Sequence, residues 1–126
     1  MSFTRRIRPF VDHELAAAEA ARRGGDDEAG FRFLERAHVL GQASTVEHVR
    51  VHWRMLRWSV RNRRPVEFAG QLLRIAGAAV LTGVGWVPPG NTGGSNVSPF
   101  RAMPVADDLR AILEFARRGR AATDPS

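Results

Sequence analysis

The chain has 126 residues, of which 44% are hydrophobic and 25% charged, values typical of one globular domain long enough to bury a core. It contains no cysteine, which excludes disulfides, thiolate metal ligands and thiol nucleophiles. All 19 basic residues are arginine and the formal net charge is +6. This charge permits contacts with acidic partners, but the arginines are not interleaved with aromatic residues as a nucleic-acid platform would require, so nucleic acid is an unlikely partner.

The sequence carries no predicted signal or membrane segment. Arginines occur within the first ten residues, but no apolar stretch typical of a secretory signal follows them. The longest apolar stretch, residues 75–89, is interrupted by glycine and proline and is shorter than the roughly 20 residues that span a bilayer. The sequence therefore predicts a cytoplasmic protein.

Two helices are predicted in the first third of the chain. The first covers residues 9–23, because proline is tolerated in a first turn and the pair Gly24-Gly25 ends the helix. The second covers residues 28–40, between an aspartate cap and Gly41. Its predicted inward face, taken from helical spacing, consists of Phe31, Leu34, Ala37 and His38.

Two further helices follow. Ser44 and Glu47 have the spacing of a capping box, which predicts a third helix that runs to about residue 62. Its predicted apolar stripe is Val49, Trp53, Leu56 and Val60. Pro65 suits a first turn and predicts a fourth helix over residues 65–81. The stripe predicted for this helix is Phe68, Leu72, Ile75 and Ala79.

Residues 83–104 are rich in glycine, proline, asparagine and serine, which predicts a long loop. The loop lacks the Gly-Lys-Ser/Thr ending of a phosphate-binding P-loop, and loops of this length are often functional. The loop is either a pair of tight turns that lets the chain cross the bundle or a partner-binding loop, and in the second case we predict Trp86 and Asn91 as partner-binding residues. A short last helix is predicted over residues 105–118, and residues 119–126 are predicted to be a frayed tail.

These elements predict an all-α fold with one helical domain over residues 1–118. Helices joined by short turns pack as antiparallel neighbours, so we expect antiparallel helical hairpins in a tetratricopeptide-like or four-helix arrangement. The long Gly/Pro-rich loop and the short C-terminal helix complete the fold. The pattern of small and apolar residues in the first two helices resembles that of one tetratricopeptide repeat. When the sequence is compared with itself at a shift of about 34 residues, only a partial second copy is found, which is too little to establish a solenoid.

The four histidines provide the clearest candidate site. His13 and His38 are equidistant from the first turn, His38 and His48 from the second, and His52 lies one helical turn beyond His48. All four should fall within about 6 Å of one level along the bundle, given a rise of about 1.5 Å per residue. Neutral imidazole is a preferred ligand of zinc, copper and nickel ions. The pattern thus predicts a metal site with His38, His48 and His52 as the main ligands, and His13 as a weaker candidate because the register of its helix is less certain.

Glu35 is a further candidate ligand, because Glu35 and His38 form a Glu-x-x-His element of the kind found in helical-bundle metal sites. The alternative is that the histidines are core or boundary residues without a ligand, since equal height along a bundle does not imply that side chains point the same way. No glutamate follows His48 as in zincins, and no nucleophile–base pair stands out. The sequence therefore favours a binding protein over an enzyme.

Three segments carry a family resemblance: LERAHVLGQ at residues 34–42, HVRVHWRML at 48–56 and GWVPPGNTGG at 85–94. They resemble a bacterial family known as "domain of unknown function 3703", and the likeness covers about residues 5–113. The resemblance implies a small stand-alone protein and brings no assigned activity.

Two functional hypotheses remain open at this point. The first is a helical protein that binds a transition-metal ion through its histidine cluster, in metal handling or resistance, with zinc as the first guess and copper or nickel as further candidates. The alternative is a tetratricopeptide-like protein–protein interaction module without metal, which uses an arginine-rich face and the loop around Gly90.

Overall fold

The computed structural model describes residues 2–83 and 103–121, with side chains described for residues 2–77 and 103–118. These residues form helices and their connections, without a strand. The helices are α1 (Phe3–Arg23), α2 (Asp27–Gly41), α3 (Thr45–Arg61), α4 (Pro65–Gly83) and α5 (Asp107–Ala121). The predicted all-α fold built from helical hairpins is confirmed, while its tetratricopeptide-like character stays a prediction.

The starts of α2 and α3 follow from local capping. The Asp26 side chain accepts a hydrogen bond from the Ala29 backbone N–H at 3.0 Å, and the Ser44 hydroxyl accepts one from the Glu47 N–H at 3.4 Å. Each cap satisfies a backbone donor that has no partner within its own helix. The predicted aspartate and serine caps are confirmed, because such signals depend only on near neighbours in the sequence.

The predicted start of α1 is wrong by six residues. The helix begins at Phe3, and Pro9 lies inside it rather than in its first turn. The added turns are held by tertiary contacts, since Ile7 is fully buried and the Arg6 guanidinium donates a hydrogen bond to the backbone carbonyl of Ala116 in α5. Docking against α5 thus offsets the helix hydrogen bond that Pro9 cannot donate.

The core lies between α1, α2, α3 and α5. The helix α1 packs against α2 and α5, α3 packs against α2 and α4, and α4 contacts α3 alone among the described helices. The residues at the centre of the core are Ile7, Val11, Leu15, Leu34, Leu40, Val51, Met55, Leu109 and Leu113.

The predicted inward stripe of α3 is right at Leu56, which is only 7% exposed, and wrong at Trp53 and Val60, while that of α4 is wrong at Phe68 and Leu72. Trp53 and Val60 are 55% and 58% exposed, and α3 instead turns Val51, Met55 and Trp58 inward. This inward face of α3 also holds two histidines and a serine, so hydrophobicity alone pointed to the wrong side of the helix. On α4, Phe68 and Leu72 are exposed. Among the α4 side chains that the structure describes, residues 65–77, the buried one is polar, and it belongs to the candidate site described below.

The predicted partner-binding residues Trp86 and Asn91, and residues 84–102 of the predicted loop as a whole, lie outside the described residues. Beyond them, α5 begins at Asp107 rather than at residue 105. Among the described helices, none is both long enough and apolar enough to cross a bilayer. The cytoplasmic location and the domain limits stay predictions.

Two ion pairs of Arg36 connect α2 with α1 and α5. Arg36 of α2 donates two hydrogen bonds of 3.1 Å to the carboxylate of Glu14, which is only 5% exposed. The same guanidinium pairs with Asp108 at the start of α5. These two carboxylates raise the pKa of Arg36, and Arg36 lowers the pKa of Asp108. The fork geometry of arginine allows one side chain to hold both partners.

We expect Arg36→Met to lower the free energy of unfolding by roughly 2–3 kcal/mol, because it leaves the Glu14 carboxylate buried without its partner. Urea titration followed by circular dichroism at 222 nm measures this change. Arg32→Met, at an exposed position on the same helix, is the control and should shift stability by less than about 0.5 kcal/mol. Equal stability of the two variants would contradict a structural role for the ion pair.

Candidate metal centre

Three histidine side chains meet where α2 ends and α3 begins. His38, His48 and His52 are 3%, 8% and 2% exposed. The Nε2 atom of His38 lies 3.0 Å from Nε2 of His48 and 3.1 Å from Nε2 of His52. Each residue offers one ring nitrogen, and the three nitrogens all lie within 4.8 Å of one another. The cluster is therefore both buried and convergent.

Close packing at the turn between α2 and α3 brings these rings together. Gly41 lies so near α3 that a Cβ atom added to it would be 3.0 Å from Cβ of Glu47. His38 is one helical turn before Gly41, and His48 directly follows Glu47. A side chain at position 41 would push the two helices apart, so the small residue permits the contact between His38 and His48.

A polar relay from α4 fixes the tautomer of His52. The Gln71 amide nitrogen donates to a carboxylate oxygen of Glu67 at 2.7 Å, and the Gln71 oxygen lies 2.6 Å from Nδ1 of His52. A carboxylate and an amide oxygen only accept hydrogen bonds, so the proton between Gln71 and His52 belongs to Nδ1. The neutral ring then presents the lone pair of Nε2 to the other two histidines.

The environment keeps the imidazoles of α3 neutral. The pKa of His48 is lowered to about 3, mainly by burial and to a smaller extent by the proximity of His52. Burial also lowers the pKa of His52 to about 4, an effect that Arg74 reinforces and that Gln71 and Glu67 oppose. Both rings are therefore unprotonated near pH 7 and keep the lone pairs that a metal ion requires.

The two short contacts of His38 cannot both be good hydrogen bonds between neutral rings. Its Nε2 atom faces Nε2 of His48 and Nε2 of His52 at nearly equal distances. Because Nε2 of His52 carries a lone pair, a proton on His38 can point at only one of the two neighbours. Without that proton, the lone pairs of His38 and His52 face each other. The arrangement thus concentrates acceptor atoms around one point.

The carboxylate of Glu47 lies next to this cluster in sequence but is paired with arginines. One of its oxygens accepts a hydrogen bond of 2.8 Å from Arg50, and the other lies 3.8 Å from Nε of Arg8. Arg50 also pairs with Asp12. This network connects α1 and α3 beside the histidines and compensates the charge of a fully buried carboxylate.

The other predicted ligands, His13 and Glu35, do not belong to the group of described residues that could share an ion. His13 lies on the exposed side of α1, because Val11, Glu14 and Leu15 form the inward face of that helix. Glu35 is half-buried and does not belong to the group of residues that could share an ion, as far as the described side chains extend. Of the four histidines that were expected at one level along the bundle, the structure thus brings three together.

Sequence reasoning missed Gln71 and Glu67, which orient the site from α4. The prediction for α4 followed its apolar residues, whereas fully buried Gln71 is the inward residue. A signal was present, since Glu67 and Gln71 are four residues apart and therefore lie on one face of the helix. Nothing in the local sequence, however, distinguishes this polar pair from a pair exposed to solvent.

Comparison with known proteins identifies the family. The chain belongs to the family described as "Protein of unknown function (DUF3703)", which matches residues 5–113, as the sequence resemblance predicted. No curated protein and no solved structure matches the chain. The description of the family carries no activity, so a function must be argued from the site itself.

The metal-free protein should lose stability as the pH falls from about 6.5 to about 4. The pKa values of His48 and His52 are lowered on folding, so in this range the unfolded chain binds protons that the folded protein excludes. Stability is retained above the ordinary histidine pKa of 6.5. Below it, stability falls by at most about 1.4 kcal/mol per pH unit for each imidazole.

Urea midpoints of chelator-treated protein at several pH values measure this effect. His48→Gln should reduce the pH dependence, because it removes one of the two groups, while the exposed His13→Gln should leave it unchanged. The assignment is wrong if His48→Gln and the native protein lose stability in parallel over this range.

Proposed function

We propose that the protein binds a divalent transition-metal ion, zinc in the first place, through the Nε2 atoms of His38, His48 and His52. The observation that carries this proposal is the convergence of three buried ring nitrogens within 4.8 Å of one another. Three imidazole nitrogens that converge to this degree form a donor set of the kind that transition-metal ions prefer.

The distances support this interpretation. With zinc–nitrogen bonds of about 2.0–2.1 Å, two ligands of a tetrahedral ion are about 3.3 Å apart. The two short Nε2 distances, 3.0 and 3.1 Å, are within a few tenths of an ångström of this value, and all three nitrogens lie within 4.8 Å of one another, so rotation of the rings could bring them to one ion. Imidazole also binds copper and nickel, and all three metals remain candidates for the same donor set.

The charge of the site favours metal handling over a purely structural role. Among the described residues, the donor set consists of three imidazoles, which bring no negative charge to a divalent ion, and Glu67 is connected to His52 through Gln71. Structural zinc sites usually have four protein ligands, often thiolates, whereas sites with three keep one position for an exchangeable ligand. We infer that an ion bound here can be delivered or removed, as a metal buffer or carrier requires.

Elemental analysis of protein purified without a histidine tag is the direct test. We expect about one equivalent of zinc, or of copper or nickel, after reconstitution of the stripped protein. His38→Ala and His48→Ala should each weaken binding by roughly 100-fold or more, since even changes around the ligands cost about 10–100-fold. His13→Ala is the matched control and should bind like the native protein, because His13 lies on the surface of α1.

Circular dichroism must show that the His38 and His48 variants remain helical, so that loss of metal is not loss of fold. Native protein that contains no metal and rebinds zinc, copper and nickel only at millimolar concentration would refute the proposal. Equal losses in His13→Ala and His48→Ala would refute the assigned ligands.

The relay from α4 yields a separate prediction. Gln71→Met removes the acceptor for the Nδ1 proton of His52 but preserves the approximate side-chain volume. We expect about 10–100-fold weaker metal binding with unchanged stoichiometry, as found when the partner of a metal-bound histidine is lost. Competition with a chromophoric chelator measures the affinity. Glu67→Gln, which retains an oxygen to accept the bond from Gln71, should have the smaller effect, and the reverse order would contradict the relay.

A further inference from the structure

A second candidate site lies along α3 on the side that faces α1. It is a surface cleft lined by residues of α1, α2 and α3, among them Leu15, Leu34 and Trp58. Its most prominent feature is a set of four arginines, which we call the arginine cleft: Arg22, Arg54, Arg57 and Arg61. The cleft extends from the middle of α3 to its last residue, and none of the three clustered histidines contributes to its lining, so the two sites are distinct.

Three of these arginines have no acidic partner among the side chains that the structure describes. Arg22 pairs with Glu19 within α1. Arg54, Arg57 and Arg61, in contrast, form no ion pair or side-chain hydrogen bond with any residue that the structure describes. Their spacing along α3 places them on one side of the helix, one turn apart. The cleft therefore presents a row of guanidinium groups whose donors are available to a ligand.

Positive charge is crowded in the cleft. Burial lowers the pKa of Arg61, and repulsion from Arg22 and Arg57 lowers it further, against the opposing influence of Glu19. The carboxylates of Glu19 and Asp27 line the same cleft but are outnumbered by the arginines. An added anion would relieve this repulsion, which is the physical condition for an anion-binding surface.

We propose that the arginine cleft binds an acidic segment of a partner protein, whose carboxylates pair with Arg54, Arg57 and Arg61. The planar fork of arginine matches a carboxylate with two parallel hydrogen bonds. Successive arginines on α3 are about 5–6 Å apart, and alternate side chains of an extended peptide are about 6.5–7 Å apart. A peptide with acidic residues at alternate positions therefore fits the row.

Several features favour an acidic peptide over a nucleic acid. Glu19 and Asp27 in the cleft would repel a continuous phosphate backbone, whereas a peptide can place neutral residues opposite them. The aromatic residue of the cleft, Trp58, is only 5% exposed, and its indole N–H is bonded to the Asp27 carbonyl at 2.8 Å. It therefore offers no open face on which a base could stack.

Fluorescence anisotropy with a labelled peptide tests this proposal. The probe is an eight-residue peptide of alternating glutamate and alanine, and the comparison probes are its lysine–alanine counterpart and an eight-nucleotide thymidine oligomer. Native protein should bind the glutamate peptide, more weakly as salt increases, and should not bind the lysine peptide. Arg57→Gln/Arg61→Gln should weaken binding of the glutamate peptide by about 10-fold or more.

The matched control is Arg32→Gln/Arg117→Gln, which removes the same charge from exposed positions on α2 and α5 outside the cleft. This variant should bind the glutamate peptide within about twofold of the native protein. Equal weakening in both double variants would show attraction by net charge alone and overturn the proposal. Absence of peptide binding at low salt would overturn it, as would tighter binding of the thymidine oligomer that depends on Arg57 and Arg61.

Discussion

The close approach of α2 to the start of α3 is the constraint on which the candidate metal centre depends. A Cβ atom at position 41 would lie 3.0 Å from Cβ of Glu47, so a larger residue there would require the neighbouring atoms to move by a few tenths of an ångström. Close to this contact, the Nε2 atoms of His38 and His48 are only 3.0 Å apart. Such packing buries polar rings in a region where apolar residues would be more stable. A fold that accepts this cost at three positions is consistent with selection for a bound ligand rather than for stability.

The contribution of α4 shows how a peripheral helix can control a buried site. Among the described helices it contacts α3 alone, yet its Gln71 determines which nitrogen of His52 carries the proton. The ligand set and the groups that orient it thus come from different helices, and small shifts of α4 would change the donor properties of His52. The same burial that keeps His48 and His52 neutral couples the integrity of the site to pH.

The helix α3 serves two regions with opposite chemistry. Its first two turns place neutral imidazoles in the interior, while its last turns place arginines on the surface beside α1. Neutral imidazoles are ligands that suit a borderline metal cation, whereas guanidinium groups suit an anion. Because the two groups lie on different turns and face different neighbours, the proposed metal site and the proposed peptide site can be altered independently.

The sequence by itself determined the helical class, the turns, the caps at Asp26 and Ser44, and the common height of the histidines, because each depends on residues close together in the chain. Only the tertiary structure decided which way each helix faces. It directs Trp53 outward and His48 inward, leaves His13 on the surface and buries Gln71. It also extends α1 to Phe3 through contacts with α5. The rotation of each helix about its axis depends on the shape of the helices it packs against. Convergence of the three imidazoles depends in turn on that rotation. The periodicity of the sequence could therefore identify four candidate histidines but could not show which three would meet.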